Sequence, residues 1–312
     1  METVLPPRLR RGDLIGIVAP ASPLEDPSRL DLGVRYLEQL GYRTLTGDSV
    51  SHRAGYLAGT DDDRLNDFHA MFRNKNVKAV FCVRGGYGSP RLLSRIDYRL
   101  IARNPKILVG YSDITALHLA IWTKTGMVTF HGPMLGVDMA GEMDPFAEER
   151  FWRLVTSPER RRTIADGGIG AIALNHGLSS GRLLGGNLSL VVSILGTPFQ
   201  PEFRRAILFL EEIGEEPYRV DRMLTQLRNA GILRKASGIG FGMFSDCGPK
   251  DPSKPSFTVD QVLREAASAS HGPVLSGLPF GHDHRMITLP VGVRARLDAE
   301  AGSLELLGPA VE

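Results

Sequence analysis

The feature that most constrains this chain is an alternation confined to its first half. Short apolar runs at residues 14–19, 77–83, 107–109 and 128–130 are separated by segments in which apolar residues recur every three to four positions. Runs that short and that uniformly apolar suit strands buried on both faces. The intervening period is that of amphipathic helices, as in Leu30, Val34, Leu37 and Leu40, or Leu65, Phe68 and Phe72. Asp26-Pro27 reads as one helix start and Asp61-Asp62-Asp63 as another, with carboxylates at the positive end of the helix dipole. Strand and helix in alternation imply an α/β fold: an open, largely parallel sheet with helices on both faces.

The pattern breaks near residue 155. Residues 160–180 are polar and glycine-containing, without a sustained period, and read as a linker or crossover. A smaller α/β unit is expected beyond it. Helices are expected at 187–195, 219–230 and 259–267, and strands at 206–210, 239–244, 273–275, 285–289 and 294–298. The expected division is 1–155, a linker at 156–180, and 181–312. Residues 92–96 suggest a further short helix.

In α/β sheets the carboxyl ends of strands are where ligands bind, so polar residues there carry the most functional information. Gly110-Tyr111-Ser112-Asp113 follows one apolar run and precedes a helical pattern. A serine at such a corner is exposed by the turn and lies near a helix N-terminus. Glu211 follows the run 206–210, and His282 lies in the turn-rich Gly277-Leu278-Pro279-Phe280-Gly281-His282-Asp283-His284-Arg285. Serine, histidine and glutamate are the side chains of a nucleophilic triad. Alternatives stand beside each. Ser112 could be a helix cap, Glu211 one of several acids with Glu212, Glu215 and Glu216, and His284 or His131 could replace His282.

Arg84-Gly85-Gly86-Tyr87-Gly88, after another apolar run, allows close approach of backbone N–H groups to a ligand. It fits neither a dinucleotide fingerprint nor a P-loop and suits half of an oxyanion hole, or simply a tight turn. The serine corner lacks the second glycine of the α/β-hydrolase elbow, which disfavours that superfamily.

Composition narrows the classes. A net charge of +2 and scattered basic residues, with Arg160-Arg161-Arg162 the one short cluster, argue against a nucleic-acid partner. No apolar stretch approaches the roughly 20 residues of a membrane span. The N-terminus lacks the features of a signal peptide, so a cytoplasmic location is expected. Cys82 and Cys247 make no disulfide framework and have no metal-ligand spacing, so neither metal nor cofactor is expected.

Taken in order, several motifs resemble the LD-carboxypeptidase family of serine peptidases, the muramoyltetrapeptide carboxypeptidases. They are Val83-Arg84-Gly85-Gly86-Tyr87-Gly88, Gly110-Tyr111-Ser112-Asp113, His131-Gly132-Pro133-Met134 and Gly185-Gly186-Asn187-Leu188. Then come Leu210-Glu211-Glu212 with Pro217-Tyr218-Arg219-Val220, and Phe280-Gly281-His282 with Thr288-Leu289-Pro290. The resemblance implies a triad of Ser112, Glu211 and His282, choosing Glu211 over Glu212 and His282 over His284. It implies a sheet domain carrying the serine, a C-terminal domain carrying the other two, and a site in the groove between them. The implied reaction is metal-free, cytoplasmic removal of the terminal D-alanine from murein tetrapeptide. The Asp113 and Gly86 amides would bind the oxyanion. A homodimer is also implied. Arg84 and Arg285 are candidates for the substrate carboxylate. Related immunity proteins share the triad and cleave aminoacyl-adenylate antibiotics. They tend to carry a longer, aromatic-containing loop before the histidine, whereas residues 247–256 are short and lack aromatics.

Overall fold

The computed structural model describes residues 2–312. The first half follows the alternation. Strands β1 (Leu14–Val18), β2 (Arg43–Thr46), β3 (Val77–Cys82), β4 (Ile107–Gly110) and β5 (Thr129–His131) alternate with helices α1 (Ser28–Gln39), α2 (Asp61–Arg73), α3 (Tyr98–Arg103) and α4 (Thr115–Thr125), and α5 (Pro145–Thr156) follows. The five strands pair in parallel in the order β5-β4-β3-β1-β2. β4 is buried at every position and β3 at all but Lys78, as strands covered on both faces must be.

Local chemistry sets the helix ends. Thr60 caps α2: its Oγ1 accepts from the Asp63 N–H at 3.1 Å, and Asp63 Oδ2 accepts from the Thr60 N–H at 2.8 Å. Such a box contributes about 1 kcal/mol. Phe68 and Phe72 from the same helix are fully buried, worth roughly 1.5–3 kcal/mol each. Residues 92–96, expected as a helix, instead hold the last residue of a tight 3-10 turn, Ser89–Leu92, and the turn after it, and α3 begins later, where Asp97 accepts from the Leu100 N–H.

The second half supplies β6 (Arg162–Ala165), β7 (Ile172–Asn175), β8 (Leu178–Asn187), β9 (Ala206–Ile213), β10 (Gly238–Ser245) and β11 (Val274–Ser276). Its helices are α6 (Leu188–Ser193), α7 (Pro217–Asn229), α8 (Ile232–Lys235) and α9 (Val259–Ser268). The chain ends with β12 (Leu289–Val291), β13 (Arg294–Asp298) and β14 (Ser303–Leu306). Eight of these strands form a second, mixed sheet in the order β6-β14-β13-β8-β9-β10-β11-β7.

Two expectations are corrected. Residues 160–180 are not a linker, because β6, β7 and the start of β8 lie there. β6 and β7 are the two edge strands of the second sheet, and β7 is partly exposed throughout, so no apolar period was required of it. The strand expected at 285–289 lies at Leu289–Val291 and joins the first sheet, antiparallel to β5. It occupies an edge, where Pro290 can forgo a ladder N–H. The C-terminal half therefore adds an edge strand to the first sheet as well as building the second.

Candidate active site

Ser112 follows β4 across one residue and opens a 3-10 turn, Ser112–Ile114, that leads into α4. Its φ is +60°, the left-handed region that costs a non-glycine residue about 1–2 kcal/mol. The helix-cap alternative is not realised: the N-cap of the 3-10 turn is Tyr111, and no side chain caps either that turn or α4. Among the described residues Ser112 Oγ has no protein hydrogen-bond partner, and its side chain is half-buried. A strained strand-to-helix corner that frees a hydroxyl is the geometry of a nucleophile elbow, reached here without its second glycine.

The glycine loop packs directly on this corner. A Cβ at Gly85 would lie 2.8 Å from Ser112 Cβ and 3.2 Å from the Asp113 nitrogen, so only glycine permits the approach. Asp113 clamps the two pieces together. Its buried carboxylate accepts from the Ser89 N–H at 2.7 Å, and its carbonyl accepts from Ser89 Oγ at 2.6 Å. Burial raises this carboxyl above the usual range, and the Ser89 hydrogen bonds oppose the rise. Neither the Gly86 nor the Asp113 N–H donates to a protein acceptor among the described residues. Ser22 shapes the rest of the loop, since its Oγ accepts from the Tyr87 N–H at 3.1 Å and its N–H donates to the Gly85 carbonyl.

Glu211 lies within β9 and is fully buried. The Nδ1–H of His282 donates to Glu211 Oε2 at 2.7 Å. Burial pushes the Glu211 carboxyl up, and the imidazole hydrogen bond pulls it back. Glu212 points elsewhere. It accepts from Asn187 Nδ2 at 2.8 Å and from the Ser189 N–H and Oγ at 2.9 and 2.7 Å, which ties down the start of α6. Gly281 makes the Glu211–His282 contact possible. Its φ is +102°, and a Cβ there would stand 2.7 Å from both Glu211 Cβ and Oε2.

Two contacts join the serine corner to this pair. The Tyr111 ring meets the His282 ring edge-on at 4.9 Å. Thr115 Oγ1, three residues beyond Ser112, accepts from the Asn187 N–H at 3.0 Å, and Asn187 is the register partner of Glu211 across β8 and β9. The competing histidines sit differently. His284 is exposed. His131 is fully buried among Tyr111, Phe209 and Phe280, neither ring nitrogen has a hydrogen-bond partner among the described residues, and burial drives its pKa far down. His118, which the sequence did not single out, donates from Nε2 to the Gly110 carbonyl at 2.8 Å and is pushed down to about 4. It serves as a neutral strut under the end of β4.

Beside His282 opens a cavity of about 450 Å³ lined by Tyr111, Pro133, Asp138, Met143, His282 and Met286, among others. Asp138 was not singled out in the sequence either. Its Oδ2 accepts from the Met134 N–H at 2.7 Å, its Oδ1 lies 3.5 Å from the Tyr111 hydroxyl, and burial raises it to about 6. The motif His131-Gly132-Pro133-Met134 ended four residues short of it. Arg84 is paired with Glu25 at 2.9 Å, and Arg285 lies over the Phe146 ring at 4.5 Å. Among the described residues no group of three or more His, Cys, Asp or Glu side chains could hold a metal ion.

A two-sheet α/β frame with a strained serine after β4, and an imidazole hydrogen-bonded to a buried carboxylate of β9, defines a serine-type hydrolase class. Residues 15–132 match the LD-carboxypeptidase N-terminal domain and residues 180–297 the LD-carboxypeptidase C-terminal domain. The chain belongs to the LD-carboxypeptidase family. It is 43% identical over 294 residues to a probable murein peptide carboxypeptidase of Bacillus subtilis, covering 94% of this chain and 91% of that protein. A solved muramoyltetrapeptide carboxypeptidase from Oxalobacter formigenes superposes with a TM-score of 0.81 at 34% identity, covering 94% of this chain and 97% of the other. The MccF structure in complex with glutamyl sulfamoyl guanosine superposes with a TM-score of 0.90 at 27% identity, covering 99% of each chain.

Proposed function

We propose that this protein is a serine carboxypeptidase that releases the terminal D-alanine of murein tetrapeptides, with Ser112, His282 and Glu211 as its catalytic residues. The observation that carries the reading is the hydrogen bond from half-buried His282 to buried Glu211, beside a left-handed serine corner. Ser112 Oγ attacks the scissile carbonyl while neutral His282 accepts its proton through Nε2. Glu211 fixes the tautomer through Nδ1 and stabilises the imidazolium. The Gly86 and Asp113 amides take the oxyanion. His282 returns the proton to the leaving D-alanine nitrogen, then activates the water that hydrolyses the acyl-serine. The serine thus comes from the first sheet, and its base and acid from chain that follows β8. No metal takes part in any step. The murein-peptide names of the B. subtilis and O. formigenes proteins support this substrate class.

Cytoplasmic action on turnover peptides and a homodimeric state belong to the same proposal. Among the described residues no helix is long and apolar enough to cross a membrane. A second reading, cleavage of an aminoacyl-nucleotide, has support in the likeness to MccF.

One experiment separates the two. Purified protein is incubated with murein tetrapeptide and with an aminoacyl sulfamoyl adenosine, and D-alanine and free amino acid are quantified. Release of D-alanine, reduced at least about a thousandfold in Ser112→Ala, is the expected result. Release that persists in Ser112→Ala removes Ser112 as the nucleophile. Turnover of the nucleotide analogue alone establishes the second reading.

A further inference from the structure

A second cavity, of about 690 Å³, is lined by Arg182, Arg204, Arg205 and Arg294 together with Trp122 and Glu202. It contains none of the residues assigned to hydrolysis. Of the chain's 30 arginines, ten lie within 4.0 Å of a carboxylate among the described residues. None of the four cavity arginines is so paired among the described residues. Glu202, the one acid in the lining, accepts from the backbone N–H of Arg204 at 2.9 Å.

Two features of this cavity are unfavourable in isolation. Arg182 and Arg294 are direct register partners on the antiparallel strands β8 and β13, so their side chains leave the same face of the sheet. Like charges directly opposite one another destabilise a sheet pair. Burial and the Arg294 charge both lower the Arg182 pKa. Arg205, immediately before β9, has a φ of +60°, a conformation that costs a non-glycine residue free energy. The repulsion between Arg182 and Arg294 is a cost that a bound anion in this cavity would offset.

Arg182 is also positioned in advance. Its Nη1 donates to Thr3 Oγ1 at 2.7 Å and to the Gly292 carbonyl at 2.9 Å, and its guanidinium lies over the Trp122 ring at 5.1 Å. Those bonds use one nitrogen and leave Nε and Nη2 for a further acceptor. A guanidinium held this way loses little side-chain entropy when it binds an oxyanion.

We propose that this cavity is a binding site for a small molecule carrying a phosphoryl group, separate from the peptidase site. Several guanidinium groups match an anion with two or more charges and several acceptor oxygens better than they match a single carboxylate. The proposal is independent of the hydrolytic assignment.

The test uses inorganic pyrophosphate as the probe on the full chain, at ionic strength held constant with sodium chloride. Thermal unfolding should show a saturable rise in Tm of about 2–4 °C, and calorimetric titration one site per chain. Succinate at the same ionic strength should give at most a tenth of the affinity. Arg294→Gln removes the cross-strand repulsion, so without anion its Tm should equal or exceed that of the parent, while pyrophosphate affinity falls at least tenfold. Arg204→Gln, at an exposed loop position, should lower affinity without changing the anion-free Tm. The proposal is overturned if the parent shows no saturable response, if succinate matches pyrophosphate, or if both variants bind pyrophosphate as the parent does. It is also overturned if Arg294→Gln changes the sedimentation coefficient and leaves the pyrophosphate response intact.

Discussion

The two corners that meet at the candidate site are built by different physics. The serine corner is made by backbone: a left-handed Ser112, a close approach available only to glycine at position 85, and two amides without a protein acceptor among the described residues. The glutamate–histidine corner is made mainly by burial and one side-chain hydrogen bond of 2.7 Å, with a left-handed Gly281 letting the two groups meet. The first stores conformational strain and the second stores electrostatic cost. Substitutions should therefore fail differently in the two places. Changes at Ser112 should alter stability through φ, and changes at the other corner should act chiefly through the Glu211–His282 contact.

The adjacent glutamates give the largest expected effect. Glu211→Gln keeps the shape and removes the charge that orients His282. It should lower kcat/KM by about 10³–10⁴-fold with little change in stability. Glu212→Gln weakens the acceptor set for Ser189 and Asn187 and should cost about 1–3 kcal/mol of stability, with a far smaller kinetic loss. Steady-state kinetics and urea unfolding of both variants settle the matter. Equal kinetic losses would erase the distinction between the two side chains.

Gly281→Ala attacks the same corner through space rather than charge. The added Cβ meets Glu211 Cβ and Oε2 at 2.7 Å in a backbone region that alanine disfavours. Stability should drop by roughly 2–3 kcal/mol. Activity should drop by about a hundredfold, because the Glu211–His282 geometry must open. Full activity in a folded Gly281→Ala protein would show that the pair does not need this contact.

Asp138 extends the comparison to pH. Its carboxyl rises from 3.8 in an open chain to about 6 in the fold, because burial disfavours the anion. The folded state then holds the proton more tightly than the unfolded one. The contribution to stability is complete below pH 4 and is lost as pH climbs through about 6. Asp138→Asn cannot titrate, so relative to the parent it should gain roughly 2–3 kcal/mol between pH 4 and pH 8. Urea unfolding at pH 4, 6 and 8 measures this. Parallel pH profiles for parent and variant would refute the assignment.

What the sequence disclosed divides along the same line. Features fixed by neighbours in the chain were legible: the apolar runs of β3 and β4, the acidic start of α2, the serine after β4. Features fixed by distant pairing were not. Pro290 hides an edge strand that reaches back to β5, and the polar segment at 160–180 hides two edge strands whose exposed positions need no apolar period. At the site, the residue types alone left Glu211 and Glu212 equivalent and three histidines in contention. Only the resemblance separated them beforehand, because the difference lies in which way β9 turns each carboxylate. Asp138 carried no local signal, since its character comes from burial. The opposition of Arg182 and Arg294 is a matter of register between strands more than a hundred residues apart in sequence.

The smallest expected effect isolates the strain itself. Ser112→Ala and Ser112→Gly both remove the hydroxyl, so both should be inactive and neither affects the charge of the other corner. They differ in what φ = +60° costs. Alanine retains the Cβ that makes this region unfavourable by about 1–2 kcal/mol, whereas glycine adopts it freely. Glycine also gains freedom in the unfolded chain, which returns part of that difference. The net expectation is that Ser112→Gly is the more stable of the two by about 0.5–1 kcal/mol. Urea unfolding of the pair at one pH measures it. An alanine variant as stable as the glycine variant would mean that the corner relaxes once the hydroxyl is gone. The strain would then depend on Oγ rather than on the course of the backbone from β4 into α4.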